Sequence, residues 1–141
     1  MGVNYLNIDK NDINKISVIE RCINRINEEY DNNPKNSKNY TKQDSIILNI
    51  QRACEASIDL AMNIVSEKKL GIPQNSRDVF EFLFYNNIIN EELAGNLKSM
   101  VGFRNIAAHD YQTVNLDIVK EVIEKHIYDL KKFADQMLLF F

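Results

Sequence analysis

The run Ile47-Leu48-Asn49-Ile50-Gln51-Arg52-Ala53-Cys54-Glu55-Ala56-Ser57-Ile58-Asp59-Leu60-Ala61-Met62-Asn63-Ile64-Val65 decides the fold class. Its apolar stripe is Ile47, Ile50, Cys54, Ile58, Ala61, Ile64 and Val65, mostly three or four positions apart, the period of one helix face. Ile46, Leu48, Ala53 and Leu60 are apolar on other sides, so this helix is expected to be central, with other helices packed around it. It is predicted to open at Thr41, with Asp44 three residues later as a variant capping box. It should run to about Lys69 and stop at Gly71, with Pro73 beyond.

Outward from this helix the same period repeats. Ile16, Ile19, Ile23, Ile26 and Tyr30 predict a helix from about Asn11 to Asp31, followed by a polar loop through Asn39. Ser76 is placed to cap a short third helix reaching Asn86. Its run Val79-Phe80-Glu81-Phe82-Leu83-Phe84-Tyr85 has strand composition, but a lone strand among helices has no pairing partner, so helix is expected. Asn90, with Glu91 and Glu92 in the first turn, opens a fourth helix that leads into Met100-Val101-Gly102-Phe103-Arg104. Asn115 caps the last, which runs to about Leu139 with an inner stripe of Val119, Ile123, His126, Leu130, Phe133 and Met137. The expectation is one all-α domain over residues 1–141, an antiparallel bundle of about five helices.

Composition narrows the function classes. The net charge is −3 over 141 residues, which argues against a general nucleic-acid binder with a long basic groove but leaves room for a site handling one or two phosphates. No apolar run approaches the length of a membrane span, and Met1 to Leu6 shows no secretory signal, so a cytoplasmic protein is expected. Gly2 has no Ser or Thr at position 6, which argues against myristoylation, and the sequon Asn39-Tyr40-Thr41 is read as chance. Cys22 and Cys54 fall in apolar-periodic segments and read as small buried hydrophobes, with no disulfide or metal spacing. Two features suggest a homodimer: the aromatic run Val79–Tyr85 and the apolar end Met137-Leu138-Leu139-Phe140-Phe141.

One segment concentrates chemistry. Arg104-Asn105-Ile106-Ala107-Ala108-His109-Asp110-Tyr111 places a guanidinium, an amide, an imidazole, a carboxylate and a phenol within eight residues. Arg binds phosphate through a fixed fork of donors, and His exchanges protons near neutral pH. Without a metal, the pair suits cleavage of RNA by its own 2′-hydroxyl. On an ideal helix the two side chains project about 140° apart, so a compact pair needs a distorted helix end near Ala108 or a second chain. The plain structural alternative is that Arg104 and Asp110 form ion pairs and His109 complements the helix dipole. His126 reads as a packed or rim histidine. Glu55 and Asp59 either orient Arg104 or His109, or pair with Arg52 or face solvent.

Arg104-x4-His109-x-Tyr111 resembles the signature of the HEPN superfamily in its HepT-like branch. These are toxin ribonucleases paired with an MntA-type minimal nucleotidyltransferase antitoxin in type VII-like systems. Gln51–Ala56 through Asp59–Ala61, Arg77–Phe80 and Met100–Asn105 are similar to other parts of that branch, covering about Gln43 to the C-terminus. The resemblance implies a homodimeric helical bundle whose two motifs form a composite site. It implies metal-independent, cofactor-free RNA cleavage to a 2′,3′-cyclic phosphate and a 5′-hydroxyl. Arg104 and His109 would be catalytic, Asn105 supporting, and Tyr111 the acceptor of AMP from the antitoxin. Expected partners are a second copy, the nucleotidyltransferase and RNA, with no DNA and no membrane. Two rivals stand beside it: a non-catalytic dimeric module binding RNA or nucleotide, and a structural bundle whose partner is the nucleotidyltransferase.

Overall fold

Asparagine side chains start several of the helical segments. The structure, a computed structural model, describes residues 10–109 and 115–140. Helix α1 spans Lys10–Tyr30, and a 3₁₀ helix over Pro34–Lys38 interrupts the polar loop, its first turn capped by Asn33. Helix α2 spans Tyr40–Glu67, α3 Ser76–Tyr85, and α4 Glu91–His109. Helix α5, Leu116–Glu121, passes through a π turn at Val122–His126 into α6, Ile127–Phe140. Asn39 caps α2, Asn75 caps α3, Asn90 caps α4 and Asn115 caps α5, each carboxamide oxygen accepting from backbone N–H groups of the first turn. Thr41 and Ser76, the caps expected from sequence, instead lie inside the first turns. In both cases a preceding Asn has the extended backbone that a cap requires, with ψ of 119° at Asn39 and 176° at Asn75.

The helix ends are equally local. Helix α2 closes with Lys69 left-handed at φ 54°, while Lys69 N–H donates to Ser66 O and Leu70 N–H to Val65 O. Helix α3 closes the same way on Asn87, at φ 60°. Gly71, expected as the stop of α2, lies beyond this motif. It is required there for another reason: its φ is 152°, and a Cβ would come within 3.0 Å of the Phe82 ring.

The helices pack as an antiparallel bundle with α2 in the middle. Helix α2 meets α1 along most of its length and also touches α3, α4 and α6. Ile19 and Ile26 of α1, Ile46, Ile50, Leu60 and Ile64 of α2, and Phe133 of α6 are fully buried between them. Each such side chain contributes about 1.5–3 kcal/mol by leaving water. Phe80 of α3 meets Phe133 edge-to-face at 5.7 Å, which ties the short third helix to the last one.

The Val79–Tyr85 run is helical, as expected. Its apolar excess is largely spent inside: Val79, Phe80 and Leu83 are buried, Phe82 and Phe84 pack at the core edge, and Tyr85 faces outward. At the C-terminal end Met137 is buried and Leu139 is exposed. The Phe140 side chain and Phe141 lie outside the described residues.

The expected inner face of the last helix holds except at its π turn. Ile127 N–H donates to Val122 O, five residues back, and at this wider turn Ile127 takes the inner place expected of His126, while Val119, Ile123, Leu130, Phe133 and Met137 are buried as expected. The buried set becomes Val119, Val122, Ile123, Ile127, Leu130, Phe133, Ala134 and Met137. His126 moves to the rim, with Nδ1 3.2 Å from Asp129 Oδ2.

Cys22 and Cys54 are buried free thiols, as expected. Burial pushes the Cys54 thiol from 9.0 up to about 12. Burial, with the Tyr30 hydroxyl donating to Glu124 Oε1 at 2.8 Å, raises that phenol from 10.0 to about 12. Both groups are neutral in the fold and ionise more readily in the unfolded chain. Their stabilisation is therefore fully present below pH 9 and is lost as pH climbs from 9 toward 12. A melting temperature that is flat from neutrality to about pH 8.5 and falls steeply above it is expected. Tyr30→Phe should leave the onset, set by the Cys54 thiol, in place and make the fall above about pH 10 shallower in the same thermal scan.

Candidate functional site

Helix α4 carries the candidate site, and it remains a regular α-helix to His109. The described backbone shows no distortion up to that residue. At 100° per residue, positions 104 and 109 lie about 140° apart around the helix. The His109 side chain and residues 110–114, including Asp110 and Tyr111, lie outside the described residues.

Arg104 turns inward toward α2 and α3 and is half-buried. Its Nη2 donates to Ser76 Oγ at 3.4 Å. Its Nε is buried and, among the described residues, has no acceptor. The guanidinium charge is felt at the Cys54 thiol, where it offsets part of the upward push from burial. A guanidinium with an unused buried donor and a permanent charge is set up for an anion. Ser76 was invisible as a site residue because its hydroxyl was assigned to capping. Asn75 takes that role and leaves the Ser76 oxygen to face α4.

Asn105 is exposed, on the other side of α4. Lys98, Gly102, Asn105 and His109 follow one another at steps of four, three and four, so they mark one stripe of the helix. Arg77, next to Ser76 in the first turn of α3, reaches this stripe. Its Nε donates to Lys98 O at 3.5 Å, and a Cβ at Gly102 would lie 3.1 Å from its Nη2. Lys98 itself pairs with Glu81.

Among the described residues, neither Glu55 nor Asp59 bonds to Arg104 or Arg52. Asp59 pairs with Lys15 of α1 at 3.0 Å, and Glu55 accepts from Gln51 at 3.4 Å. His126 lies on the rim of an apolar groove of about 400 Å³ between α4 and the π turn, lined by Met100, Phe103, Ile106, Ile118 and Val122. Among the described residues, no three His, Cys, Asp or Glu side chains gather at a spacing fit for a metal ion. Nor is any described helix long and apolar enough to cross a membrane.

The arrangement therefore offers a fixed cation on the inner side of α4 and a stripe leading to the imidazole position on the outer side. Comparison with known proteins follows the same lines. The family model described as Ribonuclease HepT-like matches residues 19–137. The mRNA nuclease HepT of Shewanella oneidensis is 53% identical over 123 residues, 87% of this chain and 92% of that protein. A toxin–antitoxin crystal structure with AMP-PNP superposes with a TM-score of 0.87 at 50% identity, covering 92% of this chain and 98% of that one. A tri-AMPylated Shewanella oneidensis HEPN toxin in complex with MNT antitoxin superposes at 0.86, with 50% identity and the same coverage.

Proposed function

Because this chain belongs to the HepT-like ribonuclease family, we propose that it is the toxin endoribonuclease of a HEPN/MNT toxin–antitoxin pair, with Arg104 and His109 as its catalytic residues. The observation that carries the assignment of roles is the half-buried Arg104 guanidinium, held by Ser76 and with an unused donor, five residues before the His109 imidazole on a continuous helix.

The chemistry uses RNA's own nucleophile. The 2′-oxygen attacks the adjacent phosphorus, the 2′-O–P bond forms and the P–O5′ bond breaks. An imidazole accepts the 2′-hydroxyl proton or protonates the leaving 5′-oxygen. Arg104 stabilises the charge that grows on the phosphoryl oxygens. Asn105 supports the phosphate from the outer stripe. The products are a 2′,3′-cyclic phosphate and a 5′-hydroxyl, and no metal takes part.

Positions 104 and 109 lie about 140° apart around α4, which supports a composite site that takes its groups from two copies across a two-fold axis. The chain acts as one domain over residues 1–141, dimerises, and works in the cytoplasm with a minimal nucleotidyltransferase as its antitoxin. Tyr111 follows His109 by two residues and is the acceptor for AMP, in keeping with the AMPylated Shewanella relative. A nucleotide attached there occupies the space that RNA needs. The rival, a non-catalytic RNA- or nucleotide-binding module, draws on the net charge of −3, which holds long RNA poorly.

The test is cleavage of single-stranded RNA by the purified chain in excess EDTA. Undiminished cleavage with cyclic-phosphate ends is expected. Cleavage only when a divalent metal is restored would overturn the mechanism, and intact RNA in both conditions would favour the binding module.

A further inference from the structure

We propose that Arg77 is a second phosphate contact for the RNA, gripping the backbone about one or two nucleotides from the bond that is cut; this rests on the ribonuclease reading. Arg77 is exposed, yet it is not a loose surface cation. Its Nε–H is anchored on the Lys98 carbonyl at 3.5 Å, which orients the fork of donors over α4. The guanidinium lies where Gly102 has no side chain, and a Cβ there would press on Nη2 at 3.1 Å. Gly102 thus clears the seat that Arg77 occupies.

That seat is on the stripe of Asn105 and His109. From Gly102 to His109 the rise along the helix is roughly 10 Å, a reach that a nucleic-acid strand covers in one or two steps. Ser76 and Arg77 are sequence neighbours with Cα atoms about 3.8 Å apart, so the turn whose hydroxyl holds Arg104 also delivers Arg77. The surrounding charges leave Arg77 as the uncompensated one. Glu81 is taken by Lys98, and Asp78 accepts from the Gln74 backbone N–H at 2.8 Å. Among the described residues no carboxylate pairs with Arg77. A planar, permanently charged fork in this setting suits a phosphodiester. One such contact also explains how a chain of net charge −3 can hold a strand locally without a basic groove.

Binding is measured by anisotropy with two uncleavable 2′-O-methyl probes, a dinucleotide with a single phosphate and an oligomer of about twelve nucleotides. Arg77→Ala is expected to weaken the oligomer about ten- to hundredfold and leave the dinucleotide within about twofold. The log–log salt slope for the oligomer should fall by about 0.7, the release expected for one single-strand phosphate contact. Gly102→Ala gives a second reading with Arg77 still present. The added methyl displaces the guanidinium, while helix propensity favours alanine, so weaker oligomer binding without a lower melting temperature is expected. Arg77→Lys should recover only part of the affinity.

Equal losses on both probes, or an unchanged oligomer affinity and salt slope, would overturn the proposal. So would unchanged RNA binding joined to loss of antitoxin co-purification, which would assign Arg77 to the protein partner. A wild-type chain that binds the oligomer but does not cut the matching RNA defeats the ribonuclease reading and leaves the Arg77 measurement intact.

Discussion

His109→Ala is expected to slow RNA cleavage by about 10²–10⁴-fold, the range by which a positioned acid–base group accelerates proton transfer. The loss should fall on kcat, because the imidazole acts when protons move and contributes little to holding the phosphate. Folding should be preserved. His109 is the last residue of α4, and alanine at that position favours the helix. The measurement is a single-turnover cleavage assay in EDTA, with the melting temperature as a control. The wild-type chain should arrest growth when expressed without its antitoxin, and the variant should not. Full cleavage by the variant would remove His109 from the mechanism. Arg104 then provides the contrast: a guanidinium that stabilises charge at phosphorus is needed whatever the pH. Wild-type activity should therefore follow an imidazole-like titration, and the small activity left in His109→Ala should lose it.

The second large effect is all-or-none. On co-expression with the nucleotidyltransferase, the wild-type chain should gain one or more AMP increments by intact-mass measurement, and Tyr111→Phe should gain none. The phenol oxygen attacks the α-phosphorus of ATP, the new O–P bond forms, pyrophosphate leaves and the phenolic proton passes to solvent or to a base. Phenylalanine keeps the ring and deletes the attacking atom. The variant should therefore cleave RNA at close to the wild-type rate but remain active in the presence of antitoxin and ATP, where the wild type is silenced. Equal labelling of both proteins would move the acceptor to another residue. On the proposed roles, a phosphodiester and a base attached two residues past His109 would compete with the RNA phosphate for Arg104 and His109.

Much of the fold could be read before any tertiary contact was known. The stripes on α1 and α2 were legible because buried faces impose the 3.6-residue period on the chain itself, and Ile19, Ile26, Ile50 and Ile64 are all buried as that period demands. The α3 run was legible as helix by elimination of a pairing partner, although its aromatic surplus pointed outward on paper and is used largely within the core. Asn90 and Asn115 cap their helices as expected, whereas the caps of α2 and α3 fall two residues and one residue earlier than expected, because Asn39 and Thr41, or Asn75 and Ser76, are all cap-capable and only the backbone angle decides which oxygen serves. The slip of His126 off the inner stripe depends on a π turn that has no periodic signature.

The motif Arg104-x4-His109-x-Tyr111 belongs to the chain alone, since residues this close in sequence carry their spacing wherever the chain is placed. What the tertiary structure decided was the company that motif keeps. Ser76 reaches Arg104 across 28 positions, and Lys15 takes Asp59 across 44, drawing that carboxylate away from the site. Local periodicity is written by the geometry of the backbone, whereas polar partners on different helices are chosen by how those helices pack, which no single stretch of sequence contains.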